Sequence, residues 1–241
     1  MSGSNVRMAS SWVPGRDFFR DERFAAAGLL AGVTTRALGD MKSAAARAAA
    51  LDQAGLGGRS AFFLKQVHST GIVPVGRDSR PEPVPEGDGL ITDLSGPVLG
   101  VFVADCAPLF LWSAGGRAAG LFHVGWRGSL GMPRQAVAAL VRRYGLKPGE
   151  LEASLGPHIG SCCYRVGPET ATRFEPRSLA RRGGELFLDL TAQVKAQLVE
   201  AGVREEAFEA SPACTSCQGE RFFSFRREKQ DSRMMAFLAL P

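Results

Sequence analysis

The sequence predicts one mixed α/β domain spanning residues 1–241. Three observations carry that reading. Short apolar runs of strand character alternate with segments of helical period; clusters of Gly, Pro and polar residues separate them; and neither a repeat nor a linker divides the chain. Length alone permits one large domain or two small ones. The missing linker decides for one, built on a mixed sheet.

Residues 1–24 are polar and aromatic by turns and are expected on the surface. Residues 29–35 (LLAGVTT) read as a strand that ends at Arg36. The Ala-rich segment 43–54 favours helix and closes at Gly55. Residues 61–67 (AFFLKQV) form a second strand that delivers Lys65, Gln66 and His68, and 71–75 continue or pair with it. The Pro- and charge-rich segment 77–87 is an exposed loop, and 88–93 (DGLITD) another strand.

Residues 98–130 form the centre of the chain. The runs 98–104 and 109–112 are short and apolar, and SAGGR at 113–117 is turn chemistry. Positions facing each other across an antiparallel hairpin sum to a constant. A turn centred near Ala114 and Gly115 therefore sets Cys106 opposite His123, within about one register step. Pro108 cannot donate to a ladder and suggests an edge or bulge. Beyond the Gly-rich loop GWRG, residues 133–144 form a helix with Ala136, Val137, Leu140, Val141 and Tyr144 on one face, stopped by Gly145. Residues 151–155 are a strand, Pro168 opens a short helix towards Phe174, and 185–188 are a strand. Asp189 caps a helix with Leu190, Val194 and Leu198 on its apolar face. Strands over 222–225 and 234–240 complete the chain.

A formal charge of +5 is spread over scattered basic pairs, among them Arg142-Arg143, Arg181-Arg182 and Arg226-Arg227. Nucleic-acid binding calls for a denser patch with interleaved aromatics, and none is present. The mild positive balance suits a small anion such as phosphate. The start lacks the apolar core of a signal peptide, and Asp105 and Pro108 break the longest apolar stretch, which excludes a membrane span. Five cysteines, two of them adjacent, are no secreted disulfide framework. A reducing cytoplasm is the expected setting.

Only three histidines are available. His68, Cys106 and His123 make a His₂Cys set suited to zinc, whose fourth position stays open for water or substrate. The ligands lie far apart in sequence, and their spacing equally fits a buried thiol with two satisfied core histidines. A competing reading pairs Cys106 and His123 as nucleophile and base, with Asp105 or Gln66 as orienting group. Cys214 and Cys217 form a CxxC that suits half a structural zinc site with Cys162 and Cys163, or a redox pair. Adjacent cysteines are awkward geometry for one metal, so these four are expected as buried thiols. Arg127 in the loop before a helix, Ser224 and Arg226 on one face of a strand end, and Arg36 at another strand end could assemble a phosphate pocket.

The runs GVTTR (32–36), KQVH (65–68), DGLIT (88–92), ADCAP (104–108), HVGWRG (123–128), GPHIGSCCY (156–164) and FSFRR (223–227) follow one another along nearly the whole chain. Together they resemble the bacterial laccase-domain family, variously described as multicopper polyphenol oxidases and purine nucleoside phosphorylases. The resemblance implies an α/β (α+β) fold with α-β-β-α layers and a zinc ion on His68, Cys106 and His123, with copper the alternative ion. It implies phosphorolysis of adenosine, inosine, guanosine or methylthioadenosine, with adenosine deamination as a side activity. The partners are then a purine nucleoside and phosphate, with no nucleic acid or membrane, for a monomer or homodimer. Asp105 is expected to orient a zinc ligand, and Arg36, Gln66, Arg127, Ser224 and Arg226 to contact substrate or phosphate.

Three departures from the family pattern bear on the substrate pocket. ALGD at 37–40 lacks the usual Asn, His158 stands where a small or apolar residue is more usual, and Phe225 replaces the more usual Tyr. A multicopper laccase needs a trinuclear cluster and a blue-copper site, more imidazoles than this chain has. A cytidine-deaminase-type site needs H-x-E and P-C-x-x-C, also absent. Amide hydrolysis in peptidoglycan-precursor editing, by the same metal or by Cys106, is a second activity open to these residues. A zinc-stabilised binding protein is the non-enzymatic alternative.

Overall fold

The computed structural model describes residues 10–241; the surface position expected for residues 1–9 lies outside them. The described chain opens with β1 (Trp12–Pro14), β2 (Phe18–Asp21), α1 (Glu22–Ala26) and β3 (Leu30–Thr34). The surface expectation for this segment is corrected. Trp12, Phe19 and Phe24 are buried, and Phe24 packs edge-on against Trp12 and Trp112. Strands of three and four residues are too short to display an alternation.

The helix α2 (Ala44–Gln53) forms where expected, its first turn capped by the Ser43 hydroxyl, which accepts from Ala46 N–H. The strand expected over 61–67 stops after two residues, as β4 (Ala61–Phe62). The Gln66 side chain then replaces the ladder. Its Nε2 donates to Phe102 O at 2.9 Å and its Oε1 accepts from Phe102 N–H at 2.7 Å. After β5 (Ile72–Pro74) and the exposed loop come β6 (Gly89–Thr92), β7 (Val98–Val103), the hairpin β8 (Ala107–Ser113) and β9 (Ala119–Val124), α3 (Met132–Tyr144) and β10 (Leu151–Leu155). Then β11 (Arg165–Val166), α4 (Pro168–Ala171), β12 (Leu179–Arg182) and β13 (Glu185–Leu188) make a small three-stranded annex. The last elements are α5 (Leu190–Glu200), β14 (Phe208–Ala210), α6 (Phe225–Glu228) and β15 (Met234–Ala239). The strand expected over 222–225 is thus corrected to a helical turn at its end, because Ser224 Oγ accepts from Arg227 N–H and caps it.

The two large sheets have six strands each, in the orders β1-β2-β3-β15-β7-β4 and β14-β10-β8-β9-β6-β5. Both are mixed: β4 runs parallel to β7, β5 to β6 and β14 to β10, and the other pairs are antiparallel. Their side chains sort by period two. On β15, Met234, Ala236 and Leu238 enter the core between the sheets, while Met235, Phe237 and Ala239 pack on the other side with Leu51 and Leu56 of the α2 region. On β8, Phe110 and Trp112 face the first sheet, and Leu109 and Leu111 meet Val137 and Leu140 of α3 and Val194 and Leu198 of α5. The result is a single α/β domain layered α2, sheet, sheet, α3 with α5. Strands buried on both faces read as continuous apolar runs, which is why the central hairpin is legible in the sequence.

In the hairpin Pro108 faces His123 and Ala107 faces Val124, two residues from the expected pairing of Cys106 with His123, so that expectation is corrected in register while Cys106 stays on the same end of the hairpin. The expectation of an edge or bulge at Pro108 is corrected: β8 lies between β9 and β10. Proline is tolerated there because the partner atom is taken elsewhere. Gly156 N–H donates to Pro108 O at 2.9 Å, while Gly156 O meets His158 Nδ1 at 2.8 Å. His158 Nδ1 therefore carries the proton, and Nε2 accepts from Thr191 Oγ1 at 3.1 Å. Burial pushes its pKa down, so His158 is a neutral side chain that repairs a ladder. Among the described residues no helix is long and apolar enough to cross a membrane.

Candidate active site

The chain crosses from the first sheet to the second through Ala104, Asp105 and Cys106, between β7 and β8. At that end of the sandwich β9 finishes beside His123, and β6 begins after Asp88. The loop after β4 brings in His68. The ligand atoms of His68, Cys106 and His123 all lie within 4.8 Å of one another, and the two imidazoles meet edge to face with centroids 4.9 Å apart.

A buried carboxylate that the sequence reading did not assign to the site organises it. Asp88 Oδ1 sits 2.9 Å from His123 Nδ1 and accepts from His68 N–H at 3.0 Å. Its Oδ2 accepts from Val67 N–H at 3.3 Å, Ser69 N–H at 2.6 Å and Ser69 Oγ at 2.9 Å. These bonds hold His68 in the left-handed region at φ 59°. They also fix Nδ1–H on His123, which turns Nε2 towards Cys106. The signal in the sequence was a lone acid directly ahead of an apolar strand.

Three groups shift together. Burial presses the Asp88 carboxyl up, but the hydrogen bonds from His123 and Ser69 outweigh it and bring it to about 2. Burial likewise opposes ionisation of Cys106, yet the imidazoles, His123 foremost, lower the thiol to about 6. Burial disfavours the charged His123, while the Cys106 thiolate and Asp88 raise it to about 9. The thiolate is thus available as a ligand, and thiolate with imidazole is a donor set that zinc accepts. Three protein donors leave a coordination position for another group.

Close approach at the site depends on Gly125. A Cβ there would lie 3.0 Å from Cys106 Sγ and 3.2 Å from His68 Cδ2. Gly125→Ala is expected to displace both side chains by a few tenths of an ångström and to weaken metal binding about tenfold, with little change in folding. Chelator competition with a metal-sensitive dye checks this, and an unchanged affinity contradicts it.

Several expected residues lie elsewhere. Asp105 orients no imidazole: its carboxylate accepts from Thr215 Oγ1 and from Arg226 N–H, each at 2.7 Å, which fixes its own φ of 86°. Gln66 lines the cavity, but its amide is committed to Phe102. Neither residue suits the orienting role that the nucleophile–base reading assigned. Arg36 points to the Gly219 carbonyl and Glu228. Arg127 lies over the Trp126 ring. Ser224 is a buried helix cap. Of the expected phosphate contacts outside the metal set, Arg226 lines the cavity, its Nη1 donating to Arg165 O at 2.8 Å and its guanidinium lying over Tyr164. Lys42, Arg47 and Arg233 line it too and were missed in the sequence. The register Met234↔Val103 explains Arg233: it puts the residue before β15 beside the crossover that carries Cys106. The four other cysteines converge as a second cluster, and Cys162 and Cys217 are exposed, correcting the expectation of buried thiols.

Residues 31–241 match the family described as multi-copper polyphenol oxidoreductase laccase. The chain belongs to this family. Purine nucleoside phosphorylase YlmD of Geobacillus stearothermophilus is 34% identical over 191 residues, covering 72% of this chain and 70% of its own. Adenosine deaminase RL5, from an unknown prokaryotic organism, is 34% identical over 148 residues, 58% of this chain and 56% of its own. The hypothetical protein YfiH of Bacillus licheniformis superposes with a TM-score of 0.88 at 26% identity, over 97% of this chain and 100% of that one. The layered fold is therefore shared with solved members. The family description speaks of several coppers, but of three histidines in this chain one, His158, is committed to Gly156 and Thr191. The two left at the centre are too few for a trinuclear cluster beside a blue-copper site.

Proposed function

We propose that the chain is a zinc-dependent purine nucleoside phosphorylase of the cytoplasm, with adenosine deamination as a second activity. The observation that carries this is one cavity that joins the three donors to cations and aromatic walls. It has a volume of about 580 Å³ and is lined by His68, Cys106 and His123, by Lys42, Arg47, Arg226 and Arg233, and by Phe102, Tyr164 and Phe225. A space of that order suits a nucleoside with phosphate. The names of the relatives supply the substrate class.

Zinc on His68, Cys106 and His123 supplies Lewis acidity towards an oxygen of phosphate or water. The chain's own groups do the rest. Arg226 presents a guanidinium to phosphate, while Lys42 and Arg233 are paired with Asp231 and keep that wall net positive. Burial, reinforced by the charge of Cys106, keeps the Tyr164 phenol protonated and able to donate. Asp88 holds His123 and the His68 loop in place. A phosphate oxygen attacks the anomeric carbon, the bond to the purine nitrogen breaks, and the proton of monohydrogen phosphate ends on the base. The positive charge that develops on the sugar is balanced by the incoming phosphate.

Phe225 is half exposed at this cavity and is positioned to stack on the base. Phe225→Ala is expected to raise KM for adenosine about tenfold with little change in kcat, since base–aromatic stacking contributes about 1–3 kcal/mol. Steady-state kinetics check it; a fall in kcat at constant KM contradicts a stacking role.

The activity is tested by base release from adenosine and inosine with and without phosphate, on metal-analysed protein and on the same protein after chelation. Release that requires both phosphate and metal supports the proposal. No release from fully loaded protein overturns it and turns attention to muropeptide amides.

A further inference from the structure

Outside the candidate active site, four thiols from two distant segments meet at one point. Cys217 Sγ lies 3.5 Å from Cys162 Sγ and 3.3 Å from Cys163 Sγ, and all four Sγ atoms, including that of Cys214, fall within 4.8 Å of one another. We propose that Cys162, Cys163, Cys214 and Cys217 bind a second, structural zinc ion that clamps the wall behind the cavity.

The geometry favours a central ion over pairwise bonds. A tetrahedron with Zn–S bonds of about 2.3 Å has edges of roughly 3.8 Å, while a disulfide needs its sulfurs at about 2.05 Å. Here one sulfur is nearly equidistant from two others. The backbone is arranged for it as well. A tight turn, with Cys163 N–H and Tyr164 N–H donating to Gly160 O at 2.9 and 3.0 Å, aims both adjacent cysteines the same way. That turn removes the objection to consecutive ligands which the sequence raises. The CxxC on the other side closes its own turn, Gln218 N–H donating to Cys214 O at 3.1 Å. Gly160 N–H donates to Cys214 Sγ at 3.2 Å, a bond that favours the thiolate. Gly160 also keeps the approach open, because a Cβ there would stand 3.2 Å from Cys162 Sγ. Exposure of Cys162 and Cys217 lets the ion enter from solvent.

An ion there would reinforce a short contact between the two segments. Their backbones meet in one isolated bridge, His158 with Cys214, where Thr215 N–H donates to His158 O at 3.0 Å, and both bear on the active-site crossover. Ile159 N–H donates to Asp105 O at 2.9 Å, and Thr215 Oγ1 to Asp105 Oδ1 at 2.7 Å. Tyr164, directly after the cysteine pair, lines the cavity. An ion binding both segments would set the position of Asp105, and through it of Cys106, without touching substrate. The donors lose their protons to solvent as the ion binds, and no oxidant is required.

The test is metal analysis of the full chain, purified anaerobically without chelator, together with protein grown on cobalt. Wild-type protein is expected to carry about two ions per chain. Cys106→Ala is expected to keep one, and its cobalt form to show the intense thiolate-to-metal charge-transfer absorption of a four-sulfur site. Cys217→Ser is expected to lose that absorption and keep the ion on His68, Cys106 and His123. If Cys217→Ser does not fold, the Cys106→Ala arm decides alone. Metal-free Cys106→Ala protein overturns the proposal. So does unreduced mass spectrometry that finds disulfide-linked peptides among the four cysteines. None of these readouts involves nucleoside turnover, so the clamp and the phosphorylase reading stand or fall separately.

Discussion

Asp88→Ala is expected to weaken metal binding at His68, Cys106 and His123 by about 10–100-fold and to lower base release in proportion at limiting zinc. Two losses combine. The His123 ring loses the acceptor on Nδ1 that fixes its tautomer and direction. The His68 loop loses the acceptor shared by the N–H groups of Val67, His68 and Ser69, and with it the support for a left-handed His68. Leaving buried donors without a partner costs about 1–3 kcal/mol each, less where water enters, so the metal-free variant should also unfold about 2–4 kcal/mol more easily. The pH dependence has a definite sign. The native carboxyl is held at about 2, below its ordinary 3.8, so its contribution is complete above the ordinary value and is lost as pH falls through the native one. Metal-free Asp88→Asn protein should therefore lack part of the wild type's acid dependence in this range. Chelator competition and urea unfolding measure the two effects. Wild-type metal affinity in the alanine variant would show that the three ligands hold their geometry unaided.

Residue types alone pointed to His68, Cys106 and His123, because three histidines and one hairpin cysteine left few combinations, and the family resemblance chose among them. Strands β7, β8, β9 and β15 were legible since burial on both faces makes each a continuous apolar run. Helix limits were legible at Ser43 and Asp189, whose oxygens cap α2 and α5. What escaped depends on contacts between segments remote in sequence. Asp88 lies 35 residues from the histidine it orients, and no period links them. Gln66 stands in for a ladder through its side chain, which truncated an expected strand. Of the cations that line the cavity only Arg226 was among those expected, because strand-end position does not reveal orientation. Arg36 turns to Glu228, while Arg233 enters the cavity through a register that only the assembled sheet defines.

Asp21→Ala is expected to cost about 2–4 kcal/mol of folding stability while leaving the metal site intact. Asp21 is buried at the junction of β2 and α1. Its carboxylate accepts from Arg23 N–H at 3.0 Å, from the Arg23 guanidinium at 2.7 Å, and from Ser154 Oγ of β10 at 2.6 Å. Arg23 continues to Ala153 O and Ala207 O at 3.0 and 3.2 Å and lies over the Trp112 ring. One acid and one base thus join the first sheet to the second, and none of their partners is a residue of the His₂Cys centre. Removing one partner of a buried pair typically costs about 3–5 kcal/mol. The range is set lower here because 26% of the Arg23 side chain surface is exposed, so water can solvate the abandoned guanidinium. Burial pushes the Asp21 carboxyl up, but Arg23 and Ser154 together hold it below its ordinary value. The contribution is therefore complete above the ordinary carboxylate range and is lost as pH falls through the lowered native value. Denaturant unfolding of wild type and variant at about pH 7 and about pH 3 should show the stability gap narrowing in acid. A gap that stays constant with pH would mean that packing around Asp21, and not its charge, joins the sheets; a gap below about 0.5 kcal/mol at neutral pH would place the pair among surface ion pairs of little consequence.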